Sequence, residues 1–244
     1  MKIKNKNGMA LKTVKGSSLR GMDLYGLKLW DADLTGQDLS EADFSRADLW
    51  GADLHGANLT DANLHGANLR DADFTGASLH RADLCGADLG DANLSGADLT
   101  EADLYDADLE EADLHGANLT DANLHSADLT DADFTGANLC GACLRGACLV
   151  GANLSGTGLT KEDLRSQYAV FDVATKFDAD PTVVVVSSTS SVSSVPEEET
   201  LAFCPQCGQA MPDMEVLRAS GVGEVGPVCL DARRAGCARL VEIS

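Results

Sequence analysis

Four cysteines near the C-terminal end carry the sharpest chemical signal in the chain: Cys204-Pro-Gln-Cys207-Gly, then Cys229 and Cys237. A Cys-x2-Cys pair followed by Gly presents two thiolates from one tight turn, which is how a tetrahedral zinc site begins. The second pair is separated by seven residues instead of two, and no His follows His125. A Zn2+ ion there needs all four thiolates, so Cys204, Cys207, Cys229 and Cys237 are the expected ligands, the alternative being free thiols.

A second group of residues has the chemistry of charge recognition. The chain holds 39 Asp and Glu against 18 Lys and Arg, a net charge of −21. That surplus argues against direct binding to nucleic acid or an anionic membrane, both of which must be met by Lys and Arg. The natural complement is a basic protein. Residues 31–155 contain 25 acids, four arginines (Arg46, Arg70, Arg81 and Arg145) and no lysine, whereas residues 1–30 carry seven Lys and Arg against Asp23 alone. No apolar run of signal-peptide length follows Lys2, Lys4 and Lys6, and none reaches the roughly 18 residues of a membrane span, so a cytoplasmic location is expected. With 5% aromatic residues, any core must be built from small aliphatic side chains.

What positions these groups is a period of five. Leu recurs every fifth residue from Leu19 to Leu164, replaced only by Phe44, Phe74 and Phe134, and Ala lies two residues earlier without a break from Ala42 to Ala152. This fits neither a helix, whose steps of about 100° scatter the leucines around the axis, nor a flat strand, in which an odd period alternates faces. The chain must turn a corner every five residues. If each Leu and its Ala point inward, four sides close a coil of about 20 residues, and stacked coils pair backbones about 4.8 Å apart. Residues 52–65 (ADLHGANLTDANLH) recur unchanged at 112–125, an offset of 60 residues or three whole coils.

In runs such as Ala52-Asp53-Leu54-His55-Gly56 and Ala117-Asn118-Leu119-Thr120-Asp121 the chain closely resembles the pentapeptide-repeat family, over about 60% of its length. The resemblance implies an all-β fold, a right-handed quadrilateral parallel β-helix, here over residues 19–164. It also implies a protein-binding role, since some members bind bacterial type II topoisomerases in place of DNA. The partner expected on that resemblance is a basic DNA-binding protein, such as DNA gyrase, topoisomerase IV or a defence nuclease. The chain departs from topoisomerase-binding members, which typically dimerise through a C-terminal helix, because its repeats run into a Ser-rich stretch.

Around the repeats, residues 1–18 are expected to form a hairpin cap with a type I′ turn at Asn7-Gly8, and with Met9, Leu11 and Val14 covering the first coil. A second cap at 165–182 contains Phe171 and Phe177. A flexible linker at 183–200 and a small zinc ribbon-like module at 201–244 follow.

Because residue j lies over j+20, surface columns can be read from the sequence. Asp71, Asp91, Glu111 and Asp131 form one, and Asp53, Asp73, Asn93, Asp113 and Asp133 another. Carboxylates stacked about 5 Å apart repel by roughly 0.8 kcal/mol even in water. The ridge of Asp71, Asp73, Asp91, Glu111, Asp113, Asp131 and Asp133 is therefore expected to bind a partner, not to stabilise the rod. Asp is also a turn residue, but the repeat pattern places Asp71, Asp91, Glu111 and Asp131 outside that role. The glycine column from Gly36 to Gly156 is expected to serve corners that need left-handed backbone. Trp30, Trp50 and Arg70 share a column that reads as cation–π decoration, the alternative being an aromatic contact patch. His55 and His115 are three coils apart, too far to share an ion, and Cys85, one coil after His65, adds a second ligand and no third. Cys140, Cys143 and Cys148 are expected to face outward. No nucleophile, base and orienting group converge, so no enzymatic activity is expected. The alternative to a DNA mimic is a rigid spacer whose cysteine module recognises the partner.

Overall fold

The computed structural model describes residues 2–14 and 17–178. Cys204, Cys207, Cys229 and Cys237, the linker at 183–200 and the module at 201–244 lie outside the described residues.

From Leu19 to Leu154 the chain climbs as a four-sided coil. Parallel bridges join the residue before each central Leu or Phe to its counterpart one coil on, from Asp23 with Asp43 through Asp133 with Asn153. Leu54 N–H donates to the Asp73 carbonyl (2.7 Å) and Asp73 N–H to that of Ala52 (2.9 Å), a pattern that recurs along the rod. The central Leu and Phe residues and the Ala two before each are buried in one continuous core, with Phe44, Phe74 and Phe134 among its largest members. One large and one small apolar residue per side fill a narrow square section.

Each side ends in a two-residue corner, closed by a bond from the next Ala to the Leu carbonyl, as from Ala57 to Leu54 (2.9 Å). The second corner residue has positive φ at every step from Gly21 to Gly156. Positive φ at the third of four turn residues is the signature of a type II turn, where Gly is least strained. The column from Gly36 to Gly156 occupies this position, with φ of 62° to 79°. So do Asp71, Asp91, Glu111 and Asp131, with φ of 55° to 58°. The ridge acids are therefore turn residues after all, which corrects the expectation from the repeat pattern. Asp tolerates left-handed backbone, giving three of the four a conformational reason to be there; Glu111 has no such reason.

At the N-terminal end, β1 (Lys2–Asn5) pairs antiparallel with β2 (Ala10–Thr13) on one side and with β3 (Ala32–Asp33), part of the first coil, on the other. Ile3 is buried against the core, Leu11 and Val14 pack on it in part, and Met9 is exposed, so Ile3 takes the role expected of Met9. The connection is not a type I′ turn, which needs positive φ at both central residues: Gly8 has it (79°) and Asn7 does not. Instead Asn5 organises a wider loop, its carbonyl accepting from Gly8 N–H (2.8 Å) and its side chain from Met9 N–H (2.9 Å).

The five-residue spacing outlasts the coil. Leu159 is only partly buried, and Leu164 is buried from a short helix, α1 (Lys161–Ser166), which Thr160 and Asp163 open with a reciprocal capping box. The regular coil thus ends near Leu154, ahead of the expected Leu164, and the β fold includes one short helix. Beyond α1, Val170 and Lys176 bridge in parallel to Cys148 and Asn153, and Phe171 meets Phe177 edge to face (5.8 Å).

Candidate functional site

The residue before each Leu is usually Asp or Asn for a local reason: its Oδ1 accepts the N–H two residues on. Asp53 accepts from His55 (3.1 Å), Asp73 from Thr75 (2.9 Å), Asp113 from His115 (2.9 Å) and Asp133 from Thr135 (2.8 Å). The Thr75 hydroxyl donates to the same Asp73 oxygen at 2.6 Å. Burial pushes the Asp73 carboxyl up, but the Thr75 hydroxyl and amide, with His55 and Lys6, outweigh it and hold the group below the usual carboxylate range. Asp133 behaves alike, burial being outweighed by the Thr135 hydroxyl and amide, His115 and Lys176. These charges are fastened to the turns.

Asn is more than an uncharged equivalent here. Asn68 Nδ2 donates to Asp48 Oδ1 one coil earlier (3.2 Å), Asn118 to Asp98 (3.3 Å) and Asn123 to Asp103 (2.8 Å). An Asn stacked on an acid replaces carboxylate repulsion with a hydrogen bond.

On the ridge, Asp71 accepts from Trp50 Nε1 (2.8 Å), and Arg70 reaches Asp91 (2.7 Å) and Asp88 (3.6 Å). Arg70 is thus an ion-pair residue and not the cation–π partner expected from its column. It lies across Gly90, where a Cβ would come within 2.5 Å of its Nη1. Trp30 and Trp50 remain exposed. A further corner column, Glu41, Asp61, Arg81, Glu101 and Asp121, acidic but for Arg81, lies two sides of the square away from the ridge, on the diagonally opposite edge. Reading one column at a time missed it; tabulating all four corners would have found it. Arg20 pairs with Glu41 (2.6 Å) and Arg81 with Asp61 (3.3 Å). These pairs fall in the first half of the rod. Residues 98–133 hold 12 Asp and Glu and no Lys or Arg, and they include Glu111, Asp113, Asp131 and Asp133.

Among the thiols, Cys143 is buried, occupying the place of the Asp or Asn before Leu144, which corrects the expectation that it faces outward. Cys148 Sγ lies 3.4 Å from Thr130 Oγ1. His125 stacks on Tyr105, with centroids 5.3 Å apart. His65 and Cys85 do have a third neighbour of ligand chemistry, Asp83, the potential donor atoms of all three lying within 4.8 Å of one another. The missed signal is the alternation along one side: Asp83 and Cys85, two apart, both face out. Burial foremost, then Asp103, Asp83 and Asp106, push the Cys85 thiol up. Among the described residues no helix is long and apolar enough to cross a membrane.

A family model of eight pentapeptide repeats matches residues 38–76, 77–116 and 117–156. Among solved structures, the chain is similar to HetL, a pentapeptide repeat protein involved in heterocyst differentiation regulation from the cyanobacterium Nostoc sp. strain PCC 7120. The identity is 32%, covering 65% of this chain and 83% of that one, with a TM-score of 0.33. A trypsin-treated form of QnrB1, a plasmid-mediated fluoroquinolone resistance protein, is 22% identical, covering 58% of this chain and 77% of that one, with a TM-score of 0.43. A pentapeptide repeat protein from the Arabidopsis thaliana thylakoid lumen is 32% identical over 54% of this chain and 74% of its own, with a TM-score of 0.19. No curated protein matches the chain.

Proposed function

Because the chain belongs to the pentapeptide-repeat family, whose members fold as right-handed β-helices, we propose that it is a non-enzymatic protein-binding rod that occupies the DNA site of a basic DNA-binding protein. The observation that carries this reading is charge density. Residues 31–155 hold 25 acids and four arginines, and at the spacing of paired strands their coils extend roughly 30 Å. Duplex DNA carries one charge per about 1.7 Å, hence about 18 over that length, close to the net −21 of this segment. Acidic edges on opposite sides of the rod offer charge to both walls of a groove, as two phosphate strands do. A groove lined with Lys and Arg gains little from a neutral rod, and a rigid one loses little conformational entropy on docking.

The centre of contact in this reading is the band at 98–133, which holds 12 acids and contributes no Lys or Arg. Glu111, Asp113, Asp131 and Asp133 lie within it, Asp91 adjoins it, and Asp71 and Asp73 lie more than one coil before it. The partner class is a type II topoisomerase, such as DNA gyrase or topoisomerase IV, or a defence nuclease.

The test is capture of a basic protein from bacterial lysate on the full chain, followed by competition with duplex DNA. Displacement by excess DNA, a steep loss of affinity with salt and weakening by a combined Glu101→Gln, Glu110→Gln, Glu111→Gln and Asp131→Asn variant are expected. Failure of DNA to displace the rod overturns mimicry. In the spacer alternative, binding survives those substitutions and is lost when the chain is cut at Ser187.

A further inference from the structure

Independently of the acidic surface, we propose that His65, Asp83 and Cys85 form a binding site for one divalent transition-metal ion of the zinc type on the side of the rod. Two features of the coil bring them together. His65 and Cys85 follow the central Leu on consecutive coils, and the parallel bridge between Asn63 and Asp83 holds those two coils in register. Asp83 lies two residues before Cys85, and its Oδ1 accepts the Cys85 N–H at 3.0 Å, which fastens the carboxylate beside the thiol and leaves Oδ2 for a ligand bond. His65 is anchored in the same way, its N–H donating to Asn63 Oδ1 at 3.0 Å, so the backbones of both outer ligands are set and only the side chains must turn.

The donor atoms lie within 4.8 Å of one another. Around a tetrahedral ion with bonds of about 2.0–2.3 Å, donors sit roughly 3.3–3.7 Å apart. The remaining closure is a small side-chain movement, open to His65 because it is exposed. A thiolate, an imidazole and a carboxylate together select zinc over magnesium or calcium, which take oxygen alone. Three protein ligands leave a fourth position for water. The next residue of the column is Tyr105, stacked on His125, so an aromatic pair borders the site on its far side. The other histidines lack this setting: His55 and His115 are separated within their column by Thr75 and Ser95.

The experiment uses the full-length chain with Cys204, Cys207, Cys229 and Cys237 changed to Ser, so that thiolate coordination reports on the rod. Titration with Co2+ is expected to give one equivalent with a thiolate-to-metal charge-transfer band. Cys85→Ser should abolish that band, His65→Ala and Asp83→Asn should each weaken binding at least about tenfold, and Cys140→Ser should leave it unchanged. Zn2+ should compete with the cobalt and should raise the unfolding temperature of the parent but not of the Cys85→Ser chain, whose circular dichroism checks that it is folded. No thiolate band, or one that survives in Cys85→Ser, overturns the site. A band indifferent to both His65→Ala and Asp83→Asn overturns the three-ligand arrangement.

Discussion

Asn123 donates its side-chain amide to Asp103 one coil earlier, Nδ2 to Oδ1 at 2.8 Å, where an Asp would set a second carboxylate against the first. Asn123→Asp should exchange that bond, worth about 1.5 kcal/mol to a charged acceptor, for a repulsion of about 0.8 kcal/mol. Thermal unfolding should show a destabilisation of about 2 kcal/mol, of which the repulsive part shrinks as salt is raised. Asn123→Ala loses the bond without adding charge, and its cost should depend little on salt. Equal salt dependence of the two variants would show that repulsion is not what Asn123 relieves.

The corners make a prediction of opposite sign at two places. Gly76 has φ of 63° and nothing within 4 Å of where a Cβ would stand, so Gly76→Ala isolates the backbone cost. It should destabilise by about 1 kcal/mol in denaturant unfolding. Glu111, at φ 58°, already bears that strain. Glu111→Gly should therefore stabilise by about the same amount, and a loss of stability there would mean that the Glu111 side chain makes a compensating contact.

Leu94 is fully buried, between Phe74 one coil before and Leu114 one coil after. Leu94→Asp puts an unpaired charge into that stack and should cost more than about 4 kcal/mol, enough to abolish the β signal in circular dichroism. Ser95 is half-exposed and donates to Asn93 Oδ1 (2.6 Å). Ser95→Asp loses that bond alone and should cost no more than about 1.5 kcal/mol. Similar losses from both would contradict the division between inside and outside.

Asp133 titrates below the ordinary carboxylate range. Its contribution to stability is therefore complete above the unfolded value, near about 3.9, and is lost as pH falls through the lower folded value. Thr135→Val removes the hydroxyl that donates to Asp133 at 2.5 Å and should return the carboxyl toward its ordinary titration. The variant should be less stable than the parent at neutral pH, with the gap narrowing below about pH 4 to the part due to the bond that Thr135 Oγ1 accepts from Asn153 Nδ2 (2.7 Å). A gap that does not narrow in acid would show that Asp133 is not what the hydroxyl stabilises.

How much could be read in advance follows from what a period encodes. A Leu every fifth residue with Ala two before it leaves one geometric solution, so the coil, the buried face and the stacking of j on j+20 were all legible. The corners were legible only in part: the glycine column from Gly36 to Gly156 marks one of them, but Gly86, Asp91, Arg81 and Ser126 share one backbone conformation without sharing chemistry, and so look like variable positions. Leu164 keeps the spacing yet lies on α1, because a period does not say what closes its own end. Ile3 escaped notice since its burial depends on β1 folding back to pair with β3, a contact outside the repeat. Asp83 was lost because columns were read along the rod, while its bond to Cys85 runs along one side.

The stacking of each residue on the one 20 positions on has an evolutionary reading. An insertion of five residues keeps every Leu inside, so selection for folding alone would accept it. Yet everything beyond it would be rotated by a quarter turn, and the edge carrying Glu111 and Asp131 would move onto the line of a neighbouring corner column. Length changes in whole coils alone leave the outer face in phase. The run at 52–65 and its copy at 112–125 are offset by 60 residues. That offset lengthens the rod without rotating what it presents, as expected if the outward face, and not only the folded core, determined which duplications were kept.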